Sequence, residues 1–491
     1  MITAFANTMK VPDLRSRILF TLAMIVIVRL GVHLPLPGVD ITVLDEYMKS
    51  QAENNDSQFA ALGAILTIFS GGGLQQCGIF ALGIMPYISA SIMTQLMGAV
   101  IPSFKKMLRE EGGRQKMTKI TRLLAIIIAV IQGILLTQSL QHPQSIGLNI
   151  PHETPLVWDP GFIFNITTVF IIVTGTMFLM WIGDQITERG VGNGVSLIIS
   201  VNIISALPGA FAIAWNTCVG TGDKINPLGA LTIVALILFM VLVVALVVTI
   251  TQAQRKIPVQ QAKRMVGRKV MNGGTQYLPL KLNYSGVMPV IFATAILALP
   301  ALLVRQIWGD ASAVTTWVNM LMSPSEPGYY VISAVMIFFF SYFWVATMFQ
   351  PQQISEDMQR SGSYIPGVRP GQPTAKYLDQ TMSRLTFAGS MFLTLIYFLP
   401  SLLYVWGGLN MVVTQFFGGT SLLILVGVLL DVLRQVEATL LQKNYDGFMK
   451  KSRSRNKYAH LSGGSEESKG VVLLWVIIAV FVLAGSIIMA F

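Results

Sequence analysis

Eleven apolar runs of spanning length follow one another along the chain, at 18–34, 79–100, 123–140, 162–182, 195–215, 228–250, 287–304, 330–349, 385–406, 420–441 and 471–491. A helix needs about 20 apolar residues to cross a hydrocarbon core roughly 30 Å thick, so this spacing predicts an all-α polytopic membrane protein. One run carries a break. Between Phe59 and Val100 the apolar pattern is interrupted by Phe69-Ser70-Gly71-Gly72-Gly73-Leu74-Gln75-Gln76. Backbone without helical hydrogen bonds cannot face lipid, and at membrane depth it persists only where protein buries it or water reaches it. The break therefore predicts a cavity inside the membrane, the plainer alternative being an ordinary span with a glycine-rich loop before it.

Composition agrees with the pattern, since 53% of residues are hydrophobic and only 12% charged, well outside the usage of soluble domains. Charge then orients the spans. Threaded back and forth, they place 30 of the 34 Lys and Arg on one side, before residue 18 and within 101–122, 189, 255–281, 360–384 and 434–469. Lys49, Lys224 and Arg305 fall opposite, and Arg29 lies inside the first run. Positive residues are retained in the cytoplasm, so residues 1–17 and the basic loops are predicted to be cytosolic. The net charge of +11 thus reflects topology first and is no evidence by itself of nucleic-acid binding. The first apolar run leads into Pro35-Leu36-Pro37-Gly38 rather than a small-residue cleavage site, and is expected to stay in the mature protein.

Catalytic chemistry is sparse. Two cysteines, Cys77 and Cys218, are too few for a disulfide framework or a zinc site, and read as small packing residues. The sequence has no phosphate loop, no nucleophile elbow, no His-Glu-x-x-His and no pair of membrane-embedded aspartates. Asp184 and Glu188, just past the fourth span, fit an interfacial charged loop better than a proton site. No enzyme activity is expected, and energy for any transport must come from elsewhere.

Four separated stretches carry a resemblance. Ile79 through Ser91, including Gly83-Ile84-Met85-Pro86-Tyr87, resembles the second transmembrane segment of the SecY family of protein-conducting channels. Thr174 through Trp181 with Glu188-Arg189-Gly190-Val191-Gly192-Asn193-Gly194 is similar to the family's fourth span and following loop. Pro366-Gly367-Val368-Arg369-Pro370-Gly371 resembles its penultimate cytosolic loop, and Phe417 through Ile424 its last span. The likeness runs from about Leu14 to Lys451.

The resemblance implies two inverted five-helix halves, 18–215 and 228–441, forming an hourglass pore, with cytosolic loops at 252–286 and 350–383. A secondary transporter with inverted repeats for a small solute is the alternative from another class, but it should carry charged or ion-coordinating residues at mid-membrane. Aliphatic residues stand there instead. The family's waist ring falls on Ile84, Ile88, Val195, Ile199, Ile291 and Ile424, and the two i,i+4 pairs among them each share a helix face. Such a constriction excludes water by dewetting and offers a passing chain no hydrogen bond. The resemblance places a plug at about 64–73, with Ile65, Leu66, Ile68 and Phe69 as its bulky residues and Gly71, Gly72 and Gly73 as its turn. It places a lateral gate between the spans beginning at 79 and 123 and those beginning at 287 and 330, with Ser89 and Gln132 as polar members. Gln132 could equally pack the bundle through an interhelical hydrogen bond.

Two cytosolic segments have their own local signals. Asn272-Gly273 between Gly267–Met271 and Thr275–Leu278 predicts a hairpin turn, and Pro366, Pro370 and Pro373 stiffen the chain around Arg369. Arg255, Lys256 and Arg264 suit phosphates of ribosomal RNA, and Arg369 the ribosome or a motor, although the same charges could serve topology alone. The resemblance implies SecE and SecG as partner subunits of a heterotrimer, the SecA motor ATPase, the ribosome, signal peptides and unfolded preproteins, membrane lipid, and no cofactor, in a bacterial plasma membrane. The chain departs from the family pattern before Arg255, where Thr251-Gln252-Ala253-Gln254 lacks the usual acidic residue.

It departs again past the tenth span, where a polar tail and linker at 442–470 lead to the run at 471–491, whose 21 residues carry no charge. At about 1.5 Å per residue that run is long enough to span, and the basic residues from Arg434 to Lys469 would hold its near end in the cytoplasm. The C-terminus is therefore expected outside. A cysteine added after Phe491 should react with a membrane-impermeant maleimide applied to intact cells; labelling only after permeabilisation would refute the eleventh span.

Overall fold

A computed structural model describes residues 12–40, 71–73, 76–110, 112–141, 157–219, 229–261, 264–266, 269–271, 274–294, 296–297, 304, 316–318, 321, 327–407, 413–414 and 420–451. Helices α1 (Pro12–Val32), α2 (Met85–Val100), α3 (Pro102–Arg109), α4 (Gly113–Gln141), α5 (Phe162–Arg189), α6 (Gly194–Val219) and α7 (Gly229–Gln252) come first. Strands β1 (Gln254–Gln261), β2 (Arg264–Val266), β3 (Lys269–Met271) and β4 (Thr275–Lys281) follow. Then come α8 (Pro327–Met348), α9 (Pro351–Arg360), β5 (Ser363–Tyr364), α10 (Gln372–Gly407) and α11 (Thr420–Lys451). Six helical stretches among the described residues are long and apolar enough to cross a membrane, in α4, α5, α6, α7, α8 continued through α9, and α10. Leu30, Phe170, Leu231 and Val335 are each more than 60% exposed, as side chains that face lipid must be. The predicted eleventh run lies outside the described residues.

The broken run does not form one helix from 79 to 100. Turns occupy 76–84, and α2 starts at Met85 with Pro86 in its first turn, where the missing proline N–H costs nothing. The unwound stretch finds partners in the segment after α1. Leu36 N–H donates to Cys77 O at 2.8 Å and Ile79 N–H to Leu34 O at 2.9 Å, and Pro35 forms an isolated bridge with Gly78. Local turns bind the rest, through Gly78 N–H to Gly73 O and Gly83 N–H to Phe80 O, both at 2.8 Å. Close approach requires small residues here. A Cβ on Gly78 would meet the Val32 carbonyl, and one on Gly175 of α5 would meet the Ile79 carbonyl.

The chain is mostly helical, with short strands in the segments at 252–286 and 350–383. β1 pairs antiparallel with β4, and also with β5 from the other loop, giving the sheet order β4-β1-β5. Alternation in β1 explains this, since Ile257 and Val259 turn inward while their neighbours stay exposed. They pack with Leu280, Ile365, Leu378 and Met382, with Val345 of α8 and with Phe349 just past its end. The two loops are thus one unit.

β2 pairs antiparallel with β3 in the register Val266↔Lys269. The turn predicted at Asn272-Gly273 lies outside the described residues.

Candidate pore and docking surface

The six aliphatic positions stand near the starts of four helical segments. Ile84 is the N-cap residue of α2, and its carbonyl accepts from Ile88 N–H at 3.1 Å, which keeps the i,i+4 relation despite the unwound lead-in. Val195 and Ile199 fall in the first two turns of α6, Ile291 in the helical residues 288–294, and Ile424 in α11. All six belong to one apolar cluster, in which Ile84, Ile88, Ile199, Ile291 and Ile424 are at most 5% exposed and Val195 is partly buried.

The start of α6 is fixed by the loop from Gly190 to Asn193. Asn193 Oδ1 accepts from Val195 N–H at 3.1 Å, acting as an N-cap, and Thr187 Oγ1 accepts from Gly194 N–H at 2.9 Å. Two distant helices hold the same loop. Val191 N–H donates to Thr21 Oγ1 of α1 at 3.1 Å, and Gly192 N–H to Gln435 Oε1 of α11 at 2.5 Å. Gly192 has φ +84°, a conformation glycine adopts without strain. The Gly-x-Gly-Asn-Gly pattern is therefore a device for setting Val195 and Ile199 in place.

Of the predicted plug, residues 64–70 lie outside the described residues. Gly71, Gly72 and Gly73 form a turn, with φ +66° at Gly71 and +90° at Gly72. The guanidinium of Arg29 reaches this turn, Nη1 donating to Gly71 O at 3.1 Å. Sequence reasoning gave Arg29 no role, although a lone cation inside an apolar run was a signal that could have found one.

At the predicted gate, α2 and α4 are joined by Thr94 and Thr121, whose hydroxyls lie 2.9 Å apart. Across the other pair, Phe292 packs edge-on against Phe340 and Trp344 of α8, with ring centroids 5.8 and 5.6 Å away. Ser89 Oγ and Gln132 Oε1 are buried without a hydrogen-bond partner among the described residues. The carbonyl of Gln132 thus does not serve as interhelical glue here. Asp184, read as an interfacial charge, pairs with Arg122 at 2.6 Å and ties α5 to α4. Cys77 is buried and free, with φ +42°, and Cys218 is half-buried and free.

Arg255 and Lys256 are exposed on β1, beside Leu280 and Pro279 of β4. Arg264 lies on β2. Arg369 is exposed on a pinned loop. Ile365 O accepts from Val368 N–H at 3.1 Å across Pro366-Gly367, and Gly367 has φ +82°, a type II turn with proline at its second position. On the far side Thr374 Oγ1 donates to Arg369 O at 2.8 Å and Ser355 Oγ to Gly371 O at 2.6 Å. Tyr364 donates its hydroxyl to Gln260 Oε1 at 3.0 Å, bridging the two loops. Arg255, Lys256 and Arg369 are therefore presented by one rigid platform.

Comparison with known proteins gives a consistent result. The SecY family profile matches residues 78–433. The protein translocase subunit SecY of Streptomyces scabiei is 40% identical over 452 residues, covering 92% of this chain and all of the relative. That of Chlamydia trachomatis serovar D is 37% identical over 453 residues, covering 91% and 98%, and that of Aquifex aeolicus is 39% identical over 444, covering 89% and 97%. Among solved structures, a protein-conducting channel superposes with a TM-score of 0.60 at 16% identity, over 86% of this chain and 92% of that one. Sec61 in the canine ribosome–channel complex does so at 0.57, with the same identity and coverage. At such identity the superpositions establish the fold.

The unpartnered carbonyl of Gln132 has a measurable consequence. Leaving a buried acceptor unsatisfied costs about 1–3 kcal/mol, so Gln132→Leu should stabilise the resting protein by about 1 kcal/mol or more. Thermal unfolding of the detergent-solubilised protein measures this. A lowered melting temperature would show that the carbonyl has a stabilising partner.

Proposed function

Since the chain belongs to the SecY family and is a subunit of a protein-conducting channel, we propose that Ile84, Ile88, Val195, Ile199, Ile291 and Ile424 form the waist through which unfolded preproteins pass. The observation that carries this is the gathering of all six side chains, from four separate helical segments, into one buried apolar cluster. The two halves at 18–215 and 228–441 would enclose the waist as an hourglass, with residues 64–73 as the plug outside it. A small-solute transporter is not favoured, because the residues gathered there are aliphatic.

Hydrophobic segments and signal peptides would leave sideways between α2 and α4 on one side and residues 288–294 and α8 on the other. Ser89 and Gln132 would offer hydrogen bonds that the closed gate leaves unused. The chain itself carries no energy-coupling motif, so the driving force would come from partners and the subunit is not an enzyme. The platform of Arg255, Lys256, Arg264 and Arg369 would dock the ribosome, through its RNA phosphates, or the SecA motor. SecE and SecG would complete the heterotrimer. Relatives of known structure include Sec61 in a ribosome–channel complex and yeast Ssh1 bound to the 80S ribosome, the latter at a TM-score of 0.53. The membrane would be the bacterial plasma membrane, with the N-terminus cytosolic and the C-terminus outside.

Two experiments test these assignments. Replacing Ile88, Ile199 and Ile424 together by Ser should leave the fold intact and make reconstituted bilayers leak ions, because three of six dewetting side chains vanish; conductance equal to the parent's would sink the pore assignment. Arg369→Glu should cut motor-driven export by about tenfold or more, the scale of losing a charge-assisted contact, with a much smaller effect on membrane insertion. Equal losses in both assays would remove the motor from this loop.

A further inference from the structure

Arg29 is the one cation in the first apolar run, and none of the roles above uses it. It stands on α1, near the end that leads to Pro35, and is half-buried. Its Nη1 donates to the carbonyl of Gly71, 42 residues further along the chain. A charged donor on a backbone carbonyl is among the stronger hydrogen bonds, and a guanidinium at membrane depth persists only where it has such a partner.

The opposite side of Gly71 is equally constrained. A Cβ there would collide with the carboxamide of Asn202, and Arg29 Nη1 would lie only 3.1 Å from it. Asn202 is 2% exposed on α6, one helical turn beyond Ile199. The glycine turn is thus gripped between α1 and α6 at a point directly beside the apolar cluster. Its φ of +66° at Gly71 and +90° at Gly72 lets the chain turn without side chains in this gap.

We propose that Arg29 is a positioning residue that anchors the 71–73 turn against α6 and thereby keeps the resting channel closed. The inference rests on the channel reading, and it concerns the anchor alone. Arg29 touches neither substrate nor the six aliphatic side chains; it acts through the turn it holds. Thr21 of α1 accepts from Val191 in the loop that leads into α6, so Arg29 would supply a second hold by α1, through the turn that abuts Asn202 of α6.

The test is resting ion conductance of the purified channel complex in planar bilayers, without substrate, beside the Ile88/Ile199/Ile424 triple variant. Losing one charge-assisted hydrogen bond should raise the open fraction about ten- to a hundredfold in Arg29→Met. Gly71→Ala should shift conductance the same way by crowding Asn202 from the other side, and Arg29→Lys should leak less than Arg29→Met. A merely structural arginine would lower the melting temperature without opening a conductance. Arg29→Met as tight as the parent, while the triple variant leaks, overturns the anchor and leaves the channel standing; if neither leaks, the channel reading itself fails. Should Arg29→Met not accumulate, Gly71→Ala decides, and parental conductance in that variant overturns the anchor.

Discussion

Unwound backbone can exist at membrane depth only if its N–H and C=O groups find partners other than lipid, and the stretch from Gly71 to Ile84 has to meet that condition before any pore can form. At 71–73 and 76–84 it meets it with turn hydrogen bonds of its own and with two cross-links to Leu34 and Leu36. The small residues follow from the same constraint. Gly78 and Gly175 allow carbonyls of Val32 and Ile79 to come within contact of their Cα atoms, so α1, α5 and the unwound strand share a space that no side chain could occupy. Only after this does α2 begin, with Ile84 as its N-cap and Ile88 one turn later.

A second constraint operates in the segments at 252–286 and 350–383, where the chain builds a small sheet rather than a span. The two loops are separated in sequence by two predicted spans, yet β1 recruits β5 from the second loop, and the shared core reaches down to Val345 of α8 and to Phe349 just past its end. Charge and rigidity are divided between different residues. Pro366, Gly367 and Gly371 shape the loop, Ser355 and Thr374 pin it, and Arg369 is left free to project.

Much of this was legible from residues close together in sequence. The two i,i+4 pairs survive in the structure, and the glycine break is irregular at 71–73 and 76–84. What local pattern could not give was partnership at long range. The sheet of β1, β4 and β5 joins β1 to a strand about 100 residues further along the chain. The Arg29 contact with Gly71 spans 42 residues, and nothing in the spacing of α1 announces it. Likewise nothing in the sequence around Gln132 tells that its carbonyl is buried without a partner among the described residues.

The aliphatic character of the waist also bears on selectivity between water and protein. Burying an aliphatic side chain of this size contributes roughly 1.5–3 kcal/mol, so parting all six into water would cost on the order of 10 kcal/mol. An extended polypeptide filling the gap restores most of those contacts, whereas ions and water restore none. If the ring is the waist, opening is therefore expensive when empty and cheap when occupied, and the seal needs no moving part of its own beyond side-chain rotation. What the ring cannot do is set the resting state alone, because a barrier built only of non-directional contacts has no unique geometry. Directional hydrogen bonds at Asn193, Thr21, Gln435 and Arg29 link α1, the loop before α6, α11 and the 71–73 turn around it. In a waist of this kind such bonds would fix where the aliphatic side chains meet, and the side chains would then exclude the water.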